Sequence, residues 1–276
     1  MAIKTVLLGL LAEDVSPPDA VAQYALALCD SQHAHLSCKV IAPMLDLPAG
    51  RLVPLAQAVV DELNDERRKR AEDSNAQLLA AALVSGVTAD ARTIQAPYAV
   101  ARAELITTSR TADLIVLPQS KGVLSFEAGL VEGVLFGAGR PVLVVPAEWE
   151  NECQFKRIVV AWDGGARAAR AVGDALALIE MADEVEVVCV ADRDERSVAG
   201  ADLTENLSRH CPHVRLTELP IQHDDAGWTL RDHVDYVKPD LLVMGAYAHA
   251  RVIQFVIGGV TSQMLQYATT PVLYSY

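Results

Sequence analysis

The stretch that decides the reading runs Asp240-Leu-Leu-Val-Met-Gly245, then Ala246-Tyr-Ala-His-Ala-Arg-Val-Ile-Gln-Phe-Val-Ile257, then Gly258-Gly259-Val260-Thr261, and ends on Thr270-Pro-Val-Leu-Tyr274. An apolar run ending in glycine reads as a parallel strand buried on both faces. Residues 260–268 are helix-compatible, and Pro271 can open a strand but cannot sit inside a central one. The order is strand, loop, helix, strand. In an open α/β sheet, ligands collect at the carboxyl ends of the strands. A small-residue loop feeding a helix start offers unpaired N–H groups to an anion, so a phosphorylated ligand is expected here.

Working outward, the same pattern occurs twice. Phe155-Lys-Arg-Ile-Val-Val-Ala161 matches Ile3-Lys-Thr-Val-Leu-Leu-Gly9 at an offset of 152. Asp240-Leu-Leu-Val-Met244 matches Asp113-Leu-Ile-Val-Leu117 at 127, and Pro271-Val-Leu273 matches Pro141-Val-Leu143 at 130. Two copies of one unit account for this better than chance. Between first and fourth strands the second copy is 25 residues shorter, and the loss is assigned to a long helix of the first copy, within residues 55–85. Between fourth and fifth strands it is 3 residues longer, in the region of the suspected phosphate loop.

In the first copy, strands are expected at residues 3–11, 35–41, 88–96, 113–118 and 141–146, with helices at 20–29, 55–85 and 100–112. In the second, strands are expected at 157–162, 185–190, 214–221, 240–245 and 271–274, and helices at 167–181, 227–237 and 260–268. Such alternation predicts a mostly parallel sheet with helices on both faces. The polar, acidic segment 147–154 reads as a linker, giving domains 1–147 and 155–276. The block Asp61-Glu-Leu-Asn-Asp-Glu-Arg-Arg-Lys-Arg70 is most simply a solvated helix face with mixed-sign pairs three and four apart.

Composition narrows the function classes. The 276 residues are 51% hydrophobic and only 5% aromatic, which suits helices stacked on parallel strands. The net charge of −13 is shared between the halves, −6 over residues 1–150 and −7 over 151–276, so nucleic acid and anionic membrane are repelled. No apolar stretch approaches the roughly 20 residues of a membrane span. The opening residues enter a strand directly, without the pattern of a secretory leader, and a cytoplasmic location is expected. Five widely spaced cysteines, with no CxxC pair, argue against a disulfide framework.

At Gly245 the pattern resembles the universal stress protein family. Its signature is a glycine, two residues, a glycine, nine residues, then glycine followed by Ser or Thr, after the fourth strand. Here Gly245-Ala-Tyr-Ala248 is followed by nine residues and Gly258-Gly259, so the spacing is right and two signature positions differ. Asp163 matches the acidic residue that contacts adenosine, and Val190 a position whose backbone meets the adenine. The resemblance covers nearly the whole chain and implies two tandem Rossmann-like α/β domains with open parallel sheets. It also implies domains paired through their last strands, here an intrachain pseudo-dimer with a homodimer open beyond it. The nucleotide-binding residues it implies are Ala161, Trp162, Asp163, Val190, Met244, Gly245, Ala248, His249, Gly258, Gly259, Val260 and Thr261. The ligand implied is ATP or a related adenine nucleotide, with any Mg it carries.

Gly245 would allow a sharp turn out of the sheet, and Gly258-Gly259 a close backbone approach to phosphate. The N–H groups of Gly259, Val260 and Thr261 would face the anion. Against this, Ala248 puts a methyl where the family has glycine, and Gly259 lacks the family's hydroxyl, a hydrogen bond worth about 0.5–1.5 kcal/mol. The glycines could equally serve turn and packing alone, and Asp163 could be a helix N-cap. The first copy lacks the pattern: Leu11 stands at the position of Asp163, and Glu132 is placed near a helix start, where it would repel phosphate. His210-Cys211-Pro212-His213 with His223-Asp224-Asp225 carries metal-capable groups without the spacing of a zinc site. No catalytic constellation is present, and slow hydrolysis of a bound nucleotide stays open. The reading is a stress-response protein that is a nucleotide-responsive binding module. The alternative is an interaction or scaffold protein of the same fold that has lost nucleotide binding.

Overall fold

The computed structural model describes residues 2–12, 20–46, 53–120, 122, 125–191, 199–246 and 259–276. The first repeat contributes β1 (Thr5–Leu11), α1 (Ala20–Gln32), β2 (His35–Met44), α2 (Val53–Val84), β3 (Ala89–Pro97), α3 (Tyr98–Ser109), β4 (Leu114–Pro118), α4 (Phe126–Gly137) and β5 (Val142–Val145). The second contributes β6 (Arg157–Ala161), α5 (Ala166–Ile179), β7 (Glu184–Ala191), α6 (Ala199–Leu207), β8 (Val214–Pro220), α7 (Ala226–Val237), β9 (Leu241–Gly245), α8 (Val260–Tyr267) and β10 (Val272–Ser275). The short α6 escapes the sequence reading, and α4, whose apolar positions are interrupted by three glycines, is expected only as a helix start near Glu132. The length difference falls where expected, since α2 has 32 residues and α6 has 9.

The chain divides into two compact units, Ile3–Pro118 and a larger one made chiefly of Gln119–Tyr276. In the smaller, the strand order is β3-β2-β1-β4, with β1–β2, β1–β4 and β2–β3 all parallel. In the larger, the order is β5-β10-β9-β6-β7-β8, parallel throughout except for β5, which runs antiparallel to β10 with Leu143 opposite Leu273. Repeat and unit are therefore different divisions of the chain. β5 closes the first repeat by sequence, but its ladder to β10 belongs to the larger unit.

Central strands are apolar on both faces because helices cover both: all four residues of β5 and all but the first of β1 are buried. The edge strand β8 has no fully buried residue, in keeping with its place at the margin of the sheet. Helix α5 buries Ala168, Ala171, Val172, Ala175, Leu178 and Ile179, a stripe at helical spacing. The matched aspartates have the same duty in both repeats. The Asp113 carboxylate accepts from the backbone N–H of Lys4 and Thr5, each at 2.9 Å, and Asp240 accepts from Arg157 at 2.8 Å. Each thus ties the start of the fourth strand to the start of the first.

Below α7, the larger unit buries a charged cluster. Glu186, only 2% exposed, accepts hydrogen bonds from Thr217 Oγ1 at 2.6 Å and Arg215 Nη2 at 2.8 Å, and meets His233 Nε2 at 3.1 Å. Burial pushes its carboxyl up, but the donors Arg215 and Thr217 and the charge of His233 outweigh this and hold it below its ordinary value. At the equivalent rung of the first repeat, Ser37 and Asp90 pair in place of Glu186 and Arg215, so the charges are rearranged. The Asp61–Arg70 block forms a solvated face as expected, with Arg68 bridging Asp65 and Glu72 at 3.1 and 3.3 Å. Four cysteines, Cys29, Cys38, Cys189 and Cys211, are buried and not in disulfides. Among the described residues no helix is long and apolar enough to cross a membrane.

Candidate functional site

In the larger unit β6 lies between β7 and β9, with Ala161 in register with Val188 on one side and Met244 on the other. The chain leaves β6 toward β7 and β8, then returns to lay β9 and β10 on the opposite side, so strand order reverses here. This is the topological switch point, the place beyond the carboxyl ends of the strands where open α/β sheets take their ligands. Ala161, Trp162, Asp163, Val190, Met244 and Gly245 come together at this edge. Met244 is buried, Ala161, Trp162, Val190 and Gly245 are half-buried, and Asp163 is exposed. The Trp162 N–H donates to the carbonyl of Val188 at 2.8 Å, which fixes the chain as it leaves β6.

The turn from β6 into α5 needs glycine. Gly164 has φ +74°, in the left-handed region. Gly165, the N-cap of α5, supplies no side-chain hydrogen bond. A Cβ on Gly165 would lie 2.9 Å from Asp163 Oδ1. The Asp163 carboxylate accepts the Gly165 N–H at 2.8 Å, so its orientation is fixed by this local turn.

Gly245 corrects the sequence reading. Its backbone is outside the left-handed region, and no sharp turn depends on it. The requirement is space: a Cβ there would sit 2.6 Å from the backbone N of Ala168 and 2.8 Å from the carbonyl carbon of Arg167. The glycine lets the end of β9 press against the first turn of α5, a contact invisible to local sequence reasoning.

Gly259, Val260 and Thr261 form the start of α8, with Gly259 as an N-cap that contributes no side-chain hydrogen bond. Thr261 is buried. Ala248, His249 and Gly258 lie outside the described residues. By contrast, α4 and α7 are capped by Ser125, accepting from Ala128 at 3.1 Å, and by Asp225, accepting from Trp228 at 3.0 Å. The glycine-capped starts of α5 and α8 thus differ from the starts of α4 and α7.

Three further residues emerge that sequence reasoning missed as a group. Asp225 also accepts from Gln263 Nε2 at 2.6 Å, and Gly227 packs against Val260. The available signal was a carboxylate followed two residues later by glycine at a helix start. Nearby, Cys189 is buried on β7, and burial first, then the charges of Glu218 and Asp163, push its thiol up.

The first repeat is built differently. Leu11, at the position of Asp163, is 4% exposed and belongs to the apolar core. Helix α4 begins at Phe126, so Glu132 lies in its second turn and not near its start; the first-turn acid is Glu127. The metal-capable groups also have other duties. His210 Nδ1 meets Glu180 at 3.1 Å, the Cys211 thiol donates to the Ala182 carbonyl, and the His223 ring stands edge-on to Trp228. Among the described residues no three His, Cys, Asp or Glu side chains are grouped to hold a metal ion.

No family model matches the chain. Universal stress protein Slr1230 of Synechocystis sp. (strain ATCC 27184 / PCC 6803 / Kazusa) is 24% identical over 169 residues. The match takes in 58% of this chain and 57% of that protein, so less than two thirds of the relative's length is spanned. A universal stress protein from Archaeoglobus fulgidus DSM 4304 superposes with a TM-score of 0.77 at 15% identity, covering 98% of this chain and 95% of the other. The functionally unknown protein PA1789 from Pseudomonas aeruginosa PAO1 follows at a TM-score of 0.60 and 14% identity, covering 99% and 92%. Over essentially its whole length the chain therefore has the fold of a universal stress protein, the family that its glycine spacing resembles.

Proposed function

We propose that the second repeat binds an adenine nucleotide at the carboxyl edge of β6, β7 and β9, and that the protein is a stress-response module whose partner surface answers to that ligand. The observation that carries this reading is the switch point itself, flanked by helices α5 and α8 whose N-cap residues are glycines that contribute no side-chain hydrogen bond. Ala161, Trp162 and Val190 would border the adenosine, with the fixed carboxylate of Asp163 as acceptor for a ribose hydroxyl. Gly259, Val260 and Thr261 would face the phosphates. The antiparallel ladder between β5 and β10 supports treating the two repeats as an internal pair. A location in the cytoplasm fits the acidic surface.

A second reading is an interaction module without nucleotide. It is favoured by the bond from the Gly165 N–H to Asp163, which gives that carboxylate a structural duty of its own. Calorimetric titration of ATP into the protein, with Asp163→Ala and Gly259→Val alongside, separates the two. Saturable binding near one site per chain, weakened in both variants, is expected. No heat up to millimolar ATP would leave the interaction module standing.

A further inference from the structure

The N-cap of α8, Gly259, contributes no side-chain hydrogen bond, and the first turn of this helix is held from outside by its neighbour. Helix α7 does this through two independent contacts. At Gly227 the two helix starts touch so closely that a Cβ would lie 3.1 Å from Val260 Cα and 3.0 Å from Gln263 Cδ. Beside it, Asp225 spans the gap: one carboxylate oxygen caps α7 through the Trp228 N–H at 3.0 Å, while the other accepts from Gln263 Nε2 at 2.6 Å. Asp225 is itself held in place. His223 and Asp224 both have left-handed backbone, φ +54° and +53°, in a tight turn closed by Gln222 and Asp225. Thr229 Oγ1 accepts from the Gln222 N–H at 2.9 Å and donates to the Asp225 carbonyl at 2.8 Å. Two consecutive non-glycine residues in that region are costly, and the surrounding bonds hold them there.

We infer that Asp225 and Gln263 are positioning residues for the phosphate end of the nucleotide, acting through α8 and not by touching the ligand. The inference rests on the nucleotide reading above. A ligand N–H contact is worth its full strength only when the donor is already aimed, and the bridge to α7 supplies that aim. Its signature is selectivity. Loss of the bridge weakens binding of the phosphates and leaves the nucleoside end unaffected, because the adenosine contacts come from β6 and β7.

The test compares ATP and adenosine binding to the full chain by calorimetry for the wild type, Gln263→Ala, Asp225→Ala and Asp225→Asn. Gln263→Ala leaves the cap of α7 in place, so the fold is kept, which a melting curve checks. Its affinity for ATP is expected to fall roughly fivefold, the weight of one net hydrogen bond, with adenosine unchanged. Asp225→Ala behaves likewise or worse. Asp225→Asn, which can still accept from Trp228 and bond to Gln263, retains the wild-type ATP affinity. Equal losses for both ligands, or none in Gln263→Ala, overturn the positioning role while leaving the nucleotide site intact. A wild-type chain that binds neither ligand overturns both.

Discussion

Replacing Gly245 by Ala tests whether this glycine is there for space. The added methyl would meet the backbone N of Ala168 at 2.6 Å and the carbonyl carbon of Arg167 at 2.8 Å. Ordinary carbon contacts begin near 3.5 Å, so the overlap approaches an ångström. The obstructing atoms belong to the first helical turn of α5, which cannot swing aside as a side-chain tip would. Ala168 is 2% exposed and holds that turn against the sheet. The end of β9 is likewise pinned, with Met244 between Ala161 and Tyr274. Relief requires α5 and β9 to separate, at about 1–3 kcal/mol for overpacking of a filled interior. In a chain of this size that corresponds to a fall in Tm of about 2–12 °C. Urea denaturation followed by circular dichroism measures the loss. Gly259→Ala is the control: Gly259 has φ −142°, nothing lies within 4 Å of an added Cβ, and only the poorer N-cap preference of alanine counts against it, so the cost should stay below about 1 kcal/mol. Equal stability of Gly245→Ala and wild type would refute the packing argument and return Gly245 to a role in chain flexibility.

The buried cluster on β7 sets an acid limit. Glu186 has its carboxyl held below the ordinary value of 4.5, so its contribution to stability is complete above that pH and drains away as pH falls through the folded value. Glu186→Gln should cost about 1.5–3 kcal/mol at pH 7, the weight of hydrogen bonds to a charged group, and should flatten the acid limb of a stability profile; an unchanged limb would exclude Glu186 as its source. Burial pushes the Cys38 thiol up to about 12, so it should resist alkylation at pH 8 in the native protein and react on unfolding in urea, as mass spectrometry of labelled peptides would show.

Much of the fold could be read because it is written locally. β-branched and leucine-rich runs covered on both faces, helical stripes such as that of α5, and prolines at strand starts each specify an element within a few residues. Repetition of Asp113 and Asp240 at matching places exposed the two copies, and the structure gives the shared reason, a carboxylate stapling fourth strand to first. The bounds of helix α4 were not legible because Gly129, Gly133 and Gly137 blur the helical pattern. The 23-residue difference between α2 and α6 was legible because the offsets record it.

By itself, the sequence determined the alternation of strands and helices, the parallel sheet, the glycine spacing and the position of Asp163 after β6. These follow from short-range preferences and from burial periodicity, which neighbours along the chain suffice to express. Tertiary structure alone decided that Gly245 makes room for α5, that Glu186 meets His233 across 47 positions, and that Asp225 holds Gln263 across 38. Each of these contacts joins segments separated by intervening elements. Chain geometry brings their atoms within reach only after the sheet has formed, so no local pattern can encode the distances on which they depend.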